Sequence, residues 1–376
     1  MKLAVLKELR AGEARVAATA DTVRKFSGAG LSVVVETGAG ERAGVADSDY
    51  AAAGAAIAPN SASALEGADI VLKVRGPEPR EIAAMKPGAV LAGLLAPYGE
   101  KETIAALAGH GVDAFAMELL PRISRAQSMD VLSSQANLAG YKAVIEAAAH
   151  FGRAMPMMMT AAGTIAPARV FVMGVGVAGL QAIATARRLG AIVSATDVRP
   201  ATKEQVESLG ATFVAVIDEE FRQAETAAGY AREMSKEYQA KQAMLIAETI
   251  RKQDIVITTA LIPGRRAPVL VNEDMVKTMK RGSIIVDLAV EQGGNCPLSE
   301  PDRVVDVNGV AVIGYTNLPA RLATDASSLY ARNLFNFVSL LIDKKAGALA
   351  IDWNDEIVKG ANLTRDGQIV HPILKG

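Results

Sequence analysis

The chain has 376 residues with a formal net charge of −1, and 50% of them are hydrophobic but only 4% aromatic. This length exceeds one compact core, so two or three domains with aliphatic cores are predicted, and the near-neutral charge argues against nucleic acid as a partner. The single cysteine, Cys296, excludes an internal disulfide and indicates a reducing compartment, and no metal site is predicted.

The first 120 residues alternate short apolar runs with alanine-rich helical stretches such as 20–27 and 48–56. Strands that alternate with helices build parallel sheets covered on both faces, so this region predicts an α/β domain. The predicted strands span residues 3–6, 32–35, 70–74, 90–94 and 114–117.

A long helix is predicted next, from Ser133 to about residue 150, because apolar residues between 138 and 149 recur three or four positions apart. Ser133 and Ser134 supply the N-cap chemistry at its start. Residues 155–167 are rich in proline, glycine and methionine, and they predict a loop.

A second alternating region begins at Val170 and predicts a doubly wound set of six strands. These strands span residues 170–173, 192–196, 212–216, 255–258, 284–287 and 311–313. A second long helix is predicted over 323–343, and Asp366-Gly367 favours a short hairpin near the end of the chain.

The predicted fold class is therefore α/β, with two Rossmann-like domains whose parallel sheets are joined by two long helices with a cleft between them. Residues 1–132 and 323–376 form the first domain, which is discontinuous, and residues 133–322 form the second. The longest uncharged run, 154–168, is too short to span a membrane as a helix, and charged residues near the N-terminus exclude a signal peptide. The chain is thus expected to be soluble and cytoplasmic.

A glycine turn directly follows the predicted strand 170–173. Gly174, Gly176 and Gly179 match the dinucleotide fingerprint, a helical pattern follows them, and Asp197 ends the next strand about 20 residues later. The first glycine allows the tight turn, the second leaves room for a pyrophosphate, and the third lets helix and strand approach closely. The free N–H groups at the helix start attract phosphate. Asp197 can accept both ribose hydroxyls and would repel a 2′-phosphate, which predicts NAD(H) as the cofactor.

Neighbouring residues complete the predicted nucleotide contacts. Val175 and Val177 lie inside the glycine turn, and Val198 and Arg199 follow Asp197. An arginine at position 199 could meet a 2′-phosphate. Asp197 is better placed at the end of the strand, so NAD(H) remains the prediction.

The segment 118–143 reads Glu-Leu-Leu-Pro-Arg-Ile-Ser-Arg-Ala-Gln-Ser-Met-Asp-Val-Leu-Ser-Ser-Gln-Ala-Asn-Leu-Ala-Gly-Tyr-Lys-Ala. It closely resembles the NAD(H)-binding component of the proton-translocating nicotinamide nucleotide transhydrogenases. The resemblance covers essentially the whole chain, including residues 7–16, the 155–167 segment, the glycine turn and residues 286–294.

The resemblance implies catalytic roles for four residues of this segment. Arg122 and Asp130 hold each other and the nicotinamide carboxamide, Ser133 also contacts the carboxamide, and Gln127 reaches toward NADP(H) on a partner component. Without the resemblance, Arg122 and Asp130 would be interpreted as an ordinary surface ion pair worth about 0–1 kcal/mol.

The resemblance also implies a mobile lid that closes over the bound nucleotide, formed by residues 218–236. Gly229 serves as its hinge and Tyr230 lies near the adenosine, whereas a charged stretch of this kind is otherwise a solvated helix face. Further implied nucleotide contacts are Ile123, Ser124, Gln242, Ala260 and Leu261.

The implied function is that of a catalytic component of a proton-translocating transhydrogenase, active only with partner subunits. It would transfer hydride directly between NADH and NADP+ bound on an NADP(H)-binding component, and a membrane-spanning component would translocate protons. The resemblance implies a homodimer, peripheral on the cytoplasmic face of the inner membrane through its partners. Because the sequence ends at Gly376, membrane helices are expected on another polypeptide.

Two other functions stay open. The related alanine dehydrogenases bind a substrate carboxylate with an arginine and a lysine, which Arg15 and Lys73 match. Their acid–base histidine is missing from residues 93–97, and Glu291 stands where they have an aspartate. Hydride transfer between two nicotinamides moves no proton at the reacting carbons and needs no such base. The third hypothesis is a non-catalytic NAD-binding module, against which the intact residues of the 122–133 segment argue.

Overall fold

The computed structural model describes residues 1–222, 234–343 and 346–375 of the chain. Two compact units divide the chain: unit 1 contains Met1–Gln135 and Pro319–Gly376, and unit 2 contains Ala136–Leu318. The sequence predicts the corresponding boundaries at 132/133 and 322/323.

Unit 1 begins with strands and helices that alternate along the chain. They are β1 (Lys2–Val5), α1 (Ala20–Gly28), β2 (Ser32–Glu36), α2 (Asp47–Ala52), β3 (Ala56–Ala58), α3 (Ser61–Leu65), β4 (Ile70–Arg75), α4 (Pro79–Ala84), β5 (Val90–Leu94), α5 (Lys101–Gly109) and β6 (Asp113–Ala116). These strands pair in parallel in the order β3-β2-β1-β4-β5-β6, so the sheet grows outward in both directions from β1 and β4. This is a doubly wound order.

The sheet of unit 1 is buried on both faces. Leu3 and Val5 belong to the apolar core on one face, and Ala4 and Leu6 belong to the core on the other. Alternate residues of a strand point to opposite faces, so a strand covered on both sides must be apolar throughout. This is why the central strands are recognisable as continuous apolar runs.

The predicted helix 48–56 is wrong at its end. Helix α2 stops at Ala52, Gly54 adopts φ +98, and the short edge strand β3 follows. A run of alanines carries no periodicity that separates helix from strand, so the change of structure has no signal in the apolar pattern.

Helix α6 (Val131–His150) leads from unit 1 into unit 2. The elements that follow are β7 (Met158–Thr160), β8 (Gly163–Ile165), β9 (Arg169–Met173), α7 (Val177–Arg188), β10 (Ile192–Thr196), α8 (Thr202–Ser208), β11 (Thr212–Phe213), α9 (Glu219–Arg222), α10 (Lys236–Ile250), β12 (Ile255–Thr258), α11 (Glu273–Thr278), β13 (Ile284–Asp287), β14 (Val304–Val307) and β15 (Val310–Ile313). In the described part of unit 2, the main sheet has seven strands in the order β11-β10-β9-β12-β13-β15-β14. The predicted α/β class with two Rossmann-like sheets is confirmed.

Two hairpins of unit 2 were not predicted. Strand β14 adds an antiparallel edge to the parallel sheet, and the turn before β15 is Asn308-Gly309 with φ +54 and +85, as a type I′ turn requires. The predicted loop 155–167 is also wrong, because β7 and β8 pair as an antiparallel hairpin. All the residues of these two short strands are exposed, so they lack the alternation of buried and exposed residues that marks a strand.

The C-terminal elements return to unit 1. They are α12 (Ala323–Val338), β16 (Ile342–Asp343), β17 (Ala348–Leu349), α13 (Glu356–Ala361), β18 (Thr364–Arg365) and β19 (Gln368–Ile369). Tyr330 of α12 donates its hydroxyl to the Lys73 carbonyl in β4 at 2.9 Å, and the Phe337 ring meets the Phe115 ring of β6 edge-on. Helix α12 ends five residues before the predicted position, and the predicted hairpin at 366–367 is confirmed. None of the helices within the described ranges is long and apolar enough to cross a bilayer.

Candidate functional site

The glycine turn lies at the carboxyl end of β9, where the strand order of the unit 2 sheet reverses. Strand β9 pairs with β10 on one side and with β12 on the other. Ligands of open parallel sheets bind outside the carboxyl ends of the strands at such a point. Asp197 follows β10 and Ala260 lies two residues after β12, so both are at the same edge of the sheet as the turn.

Each of the three glycines meets a different geometric demand. Gly174 adopts φ +100, which side chains rarely tolerate, and its carbonyl accepts from the Thr259 hydroxyl at 3.0 Å. A Cβ atom on Gly179 would lie 1.9 Å from the Gly174 carbonyl oxygen, so only glycine lets α7 approach the turn. A Cβ atom on Gly176 would meet no atom within 4 Å, which leaves the open space that a pyrophosphate needs.

The start of α7 is held in place by α6. A Cβ atom on Gly140 of α6 would lie 2.0 Å from the Ala178 carbonyl oxygen, so the two backbones are in direct contact. Helix α7 begins at Val177, and the N–H groups of its first turn have no intrahelical acceptor. These N–H groups and the partial positive charge of the helix N-terminus favour an anionic ligand.

The Asp197 carboxylate is engaged by its own neighbours. Its Oδ2 accepts from the Val175 backbone N–H at 2.7 Å and from Arg199 Nη2 at 3.0 Å. Its Oδ1 accepts from the backbone N–H and the Nε of Arg199, at 2.9 and 3.0 Å. The sequence places these residues together correctly, but it does not predict that Arg199 binds Asp197.

Gln242, a further predicted contact of unit 2, lies at the same edge of the sheet, beside the end of β10. Gln242 donates to the Thr196 hydroxyl at 3.3 Å and accepts from the Val216 N–H at 2.9 Å. Gly229 and Tyr230 lie outside the described residues. The side chains of the other predicted contacts of unit 2 differ in exposure: Val177, Val198 and Leu261 are exposed, and Val175 is buried. The predicted contacts Ile123 and Ser124 belong to unit 1, where Ile123 is half-buried and Ser124 is exposed.

Asn295 is a supporting residue that the sequence did not single out. Its side chain donates to the Ala260 carbonyl at 2.9 Å and accepts from the Ala260 N–H at 3.1 Å. The buried Asp287 in turn accepts from the Asn295 N–H at 3.1 Å. These bonds fix the backbone that follows β12. The sequence feature that could have pointed to Asn295 is its position, because it immediately follows the 286–294 run that carries some of the family resemblance.

The segment of unit 1 that contains Arg122 and Gln127 is mostly exposed. It includes a 3-10 helix, Ser124–Met129, and both side chains reach solvent. Within the described ranges neither side chain has a hydrogen-bond or ion-pair partner, and no ion pair joins Arg122 to Asp130. The expected contact between those two residues is therefore wrong for this structure, because Asp130 is engaged elsewhere.

Asp130 caps helix α6. Its Oδ1 accepts from the Ser133 backbone N–H at 2.9 Å, and its Oδ2 accepts from the Ser133 hydroxyl at 2.5 Å. A carboxylate directly before a helix satisfies a free N–H group and interacts well with the helix dipole. The helix therefore begins at Val131, and the predicted capping by Ser133 and Ser134 is wrong. The Ser134 hydroxyl donates instead to Asn333 of α12 at 2.8 Å.

Arg15 and Lys73, the two cations that match a substrate-carboxylate site, are buried inside unit 1. Both carboxylate oxygens of Glu13 accept from Arg15 at 2.7 Å, and although burial opposes it, this pairing lowers the pKa of Glu13 to about 2. Lys73 lies 3.1 Å from Glu81 and 3.9 Å from Glu8. Both cations are thus already paired with carboxylates of the chain itself.

Glu118 is a titratable group that sequence patterns did not reveal. Its Oε1 accepts from the Ala96 N–H at 2.6 Å, inside the 93–97 stretch that has no histidine. Its Oε2 is buried without a hydrogen-bond partner among the described residues, and burial raises the pKa of Glu118 to about 7. Nothing in the local sequence signals an unpaired oxygen, because it results from how two separate loops pack.

Replacing Glu118 by glutamine is expected to stabilise the protein above neutral pH. The unfolded chain releases this proton near pH 4.5, whereas the folded state retains it up to about pH 7. Wild-type stability therefore falls by about 1–3 kcal/mol as pH rises through this window, and the glutamine variant escapes that loss. Thermal unfolding should give a higher Tm for Glu118→Gln at pH 8 and little difference at pH 5.

The matched control is Glu66→Gln, which neutralises an exposed glutamate of the same unit. Its Tm should equal that of the wild type at both pH values. A lower Tm for Glu118→Gln at pH 8 would mean that the ionised carboxylate is stabilising, which contradicts the assignment.

Sequence models of one protein family match both halves of the chain. The model described as alanine dehydrogenase/PNT, N-terminal domain, matches residues 4–139, and the corresponding C-terminal domain matches residues 143–372. The chain is 56% identical over 381 residues to an NAD(P) transhydrogenase subunit alpha polypeptide of Rhodospirillum rubrum, in an alignment that covers 100% of this chain and 99% of that protein.

Two solved structures share the fold. The transhydrogenase from Sinorhizobium meliloti matches with a TM-score of 0.90 at 53% identity, covering 98% of this chain and 100% of that one. An L-alanine dehydrogenase matches with a TM-score of 0.84 at 27% identity, covering 100% of this chain and 98% of that one. The fold alone therefore does not separate the two activities, but the sequence is far closer to the transhydrogenases.

Proposed function

This chain belongs to the alanine dehydrogenase/PNT family, and we propose that it is the NAD(H)-binding catalytic component of a transhydrogenase. The observation that carries the proposal is that the side chains of Arg122 and Gln127 are both exposed and have no partner within the described ranges of the chain. The same protein also has a complete dinucleotide turn. The high identity to a transhydrogenase alpha subunit supports the same conclusion.

The residues of unit 2 fit NAD(H). Gly176 leaves open space above the turn, and the first-turn N–H groups of α7 suit a pyrophosphate. Asp197 supplies the carboxylate that ribose hydroxyls need, and its negative charge disfavours a 2′-phosphate. We therefore assign the NAD(H) contacts to the glycine turn and Asp197, together with Val198, Gln242, Ala260 and Leu261.

We assign Arg122, Asp130 and Ser133 to the nicotinamide carboxamide, and Gln127 to the nucleotide carried by the partner. A carboxamide has one acceptor oxygen and two N–H donors. Arg122 offers donors for the oxygen, and Asp130 offers acceptors for the N–H groups. The hydrogen bonds from Ser133 hold the Asp130 carboxylate in one orientation, which keeps this acceptor ready.

The proposed reaction is a direct hydride transfer. Bound NADH supplies a hydride from C4 of its nicotinamide, a new C–H bond forms at C4 of the NADP+ nicotinamide, and the products are NAD+ and NADPH. The two electrons move with the hydrogen and no proton is released, so the chain needs no general base. Its residues contribute by holding one ring in a reactive geometry, which is a large share of catalysis in a two-substrate reaction.

An amino-acid dehydrogenase is the second candidate, favoured by the match of Arg15 and Lys73. The ion pairs of unit 1 argue against it, because Glu13 and Glu81 already bind these cations. The absence of a histidine from residues 93–97 argues against it as well. Such an enzyme must remove a proton as well as a hydride from its substrate.

Partner subunits complete the proposed enzyme. An NADP(H)-binding component presents NADP+, and a membrane-spanning component couples hydride transfer to proton translocation. This chain is then a peripheral subunit, held at the cytoplasmic face of the inner membrane through those partners.

We also propose that the chain is a homodimer and that the β7–β8 hairpin contributes to the contact between copies. Met157, Met158, Met159 and Ile165 are exposed on this hairpin and just before it. Several large apolar side chains exposed on one short hairpin are typical of an interaction surface.

Introducing lysine at both Met158 and Met159 is expected to weaken the dimer at least about tenfold, because burying two charges costs more than the lost apolar contact. Analytical ultracentrifugation over a concentration series measures the dissociation constant. The control is Met244→Lys, at a methionine that is 70% exposed on α10 and should leave association unchanged. Equal dissociation constants for all three proteins would contradict the role of the hairpin.

One assay tests the function. The chain is mixed with NADH, an NADP+ analogue and the NADP(H)-binding component, and the reaction is repeated without that component and with alanine plus NAD+. We expect turnover only in the complete mixture. Oxidation of alanine by the chain alone would overturn the proposal in favour of the dehydrogenase. NADH binding without any turnover would favour a non-catalytic module.

A further inference from the structure

The four hydrogen bonds on Asp197 leave its carboxylate with no free acceptor position. A carboxylate has about four acceptor positions, two on each oxygen. Here the backbone N–H groups of Val175 and Arg199 fill one position on each oxygen, and the Arg199 side chain fills the other two. A ribose with two hydroxyl donors therefore finds no vacant acceptor on Asp197 in this arrangement.

The two groups of bonds differ in how easily they break. The backbone N–H bonds belong to the glycine turn and to the chain after β10, so they persist while unit 2 is folded. The guanidinium is the terminal group of a side chain that is 34% exposed, whereas the Asp197 side chain is 7% exposed. The partly exposed guanidinium is therefore the more readily displaced of the two groups.

The side-chain bonds also have the geometry of the ligand. Arg199 Nε donates to Oδ1 and Nη2 donates to Oδ2, both at 3.0 Å, so two neighbouring donors meet the two oxygens side by side. The 2′ and 3′ hydroxyls of a ribose are also two neighbouring donors. Departure of the guanidinium frees one acceptor on each oxygen, which is what such a diol requires.

We propose that Arg199 is an intramolecular latch that occupies the ribose-binding carboxylate of Asp197 in the free protein and must be displaced by the adenosine ribose of the nucleotide. The inference rests on the proposed function, because it takes NAD(H) as the ligand of this edge. The same guanidinium donates to the Val175 carbonyl at 3.3 Å, so the latch also ties Asp197 to the glycine turn until the nucleotide arrives.

The latch has a predictable effect on affinity. A protein whose binding-competent state is only partly populated binds its ligand more weakly by that fraction. A partly exposed ion pair of this kind changes the population by about two- to fivefold. Removing the guanidinium should therefore tighten NADH binding, whereas loss of a positive charge near an anionic ligand should by itself weaken it. The latch and simple charge attraction therefore predict opposite changes in NADH affinity when the guanidinium is removed.

The test compares two variants by titration calorimetry with NADH and with AMP, which keeps the same ribose diol but lacks the nicotinamide. Arg199→Met removes all side-chain donors at similar length, and Arg199→Lys keeps the charge but loses the two-donor fork. We expect both variants to lower the dissociation constants for NADH and AMP by about two- to fivefold. Arg188→Met, at an exposed arginine at the far end of α7, is the control and should not tighten binding.

Unchanged or weaker NADH binding by Arg199→Met would overturn the latch. A crystal structure of the wild-type chain with NADH is an independent test, which does not depend on the folding of a variant. The latch requires the ribose hydroxyls on Asp197 with the guanidinium displaced. A guanidinium still 3.0 Å from the carboxylate with NADH bound would reject it.

Failure of the latch and failure of the proposed function are distinguishable. If NADH binds but no hydride reaches NADP+ in the complete mixture, the transhydrogenase proposal fails while the affinities of the Arg199 variants still decide the latch. If hydride transfer occurs and those affinities equal that of the wild type, only the latch fails.

Discussion

Replacing Gly179 by alanine is expected to lower the free energy of unfolding of unit 2 by about 2–4 kcal/mol and to weaken NADH binding on the order of a hundredfold. The added Cβ atom would lie 1.9 Å from the Gly174 carbonyl oxygen and 2.9 Å from its carbon. Backbone atoms cannot rotate out of the way as a side chain can. Either α7 moves away from the turn or the turn opens, and both displace the N–H groups that face the pyrophosphate. Denaturant unfolding and calorimetric titration with NADH measure the two effects.

Gly176→Ala is the matched control, because it adds the same methyl group in the same turn at a position with open space. Gly176 has φ −79, which alanine adopts without strain. Its unfolding free energy should equal that of the wild type, while NADH binding falls about tenfold because the methyl group enters the space for the phosphates. Wild-type affinity in Gly176→Ala would place the pyrophosphate elsewhere, and wild-type stability in Gly179→Ala would refute the packing argument.

Shortening Gln127 to asparagine is expected to slow hydride transfer on the order of a hundredfold in the mixture with the NADP(H)-binding component, while the dissociation constant for NADH stays within about twofold. The Gln127 side chain is exposed and has no partner in the described residues, so its loss does not disturb the fold. Removing one methylene group withdraws the amide by about 1.5 Å, and misplacement by about 1 Å can cost on the order of a hundredfold in rate. Stopped-flow kinetics and NADH titration give the two quantities.

Ser128→Ala is the control for this prediction, because Ser128 is the exposed neighbour of Gln127 on the same 3-10 helix. Its backbone carbonyl, which accepts from Asn333 and Asn336, is unaffected by the substitution. We expect wild-type rate and affinity. If Gln127→Asn loses NADH affinity in proportion to its rate, Gln127 belongs to the NAD(H) site and does not act toward the partner's nucleotide.

The central strands and the glycine turn were predictable because their physics is local. Strands β10, β12 and β13 have the predicted bounds. Every residue of β12 and β13 is buried, and strands buried on both faces must be continuous apolar runs between turns. The turn could be predicted from the spacing of Gly174, Gly176 and Gly179, because the geometry that requires a glycine at each position arises within a few residues of the sequence. The Asp366-Gly367 hairpin followed from turn chemistry in the same way.

Side-chain partners were not predictable from the same patterns. Asp130 was expected to pair with Arg122, but it binds Ser133, because a carboxylate one residue before a helix finds a free N–H group there. Asp197 was expected to be available to ribose, but Arg199 fills its acceptor positions. In both cases the competing partner lies two or three residues away, and the choice depends on backbone geometry that periodicity does not encode.

The buried ion pairs of unit 1 include one that joins residues far apart in the sequence. Arg15 and Lys73 match a substrate site in residue type alone. That Glu81 and Glu8 surround Lys73 follows only once β1, β4 and α4 are assembled. The same residue types therefore fit two functions in the sequence, and the structure adds which carboxylates pair with them.

The most direct test of the central claim follows the hydrogen atom itself. NADH deuterated at the transferred position of C4 is mixed with NADP+, this chain and the NADP(H)-binding component, and the NADPH product is analysed by mass spectrometry. Direct transfer between two bound nicotinamides predicts that the NADPH carries the deuterium, that none appears in water, and that omission of either protein abolishes the product. Unlabelled NADPH, with the deuterium in solvent, would contradict the account.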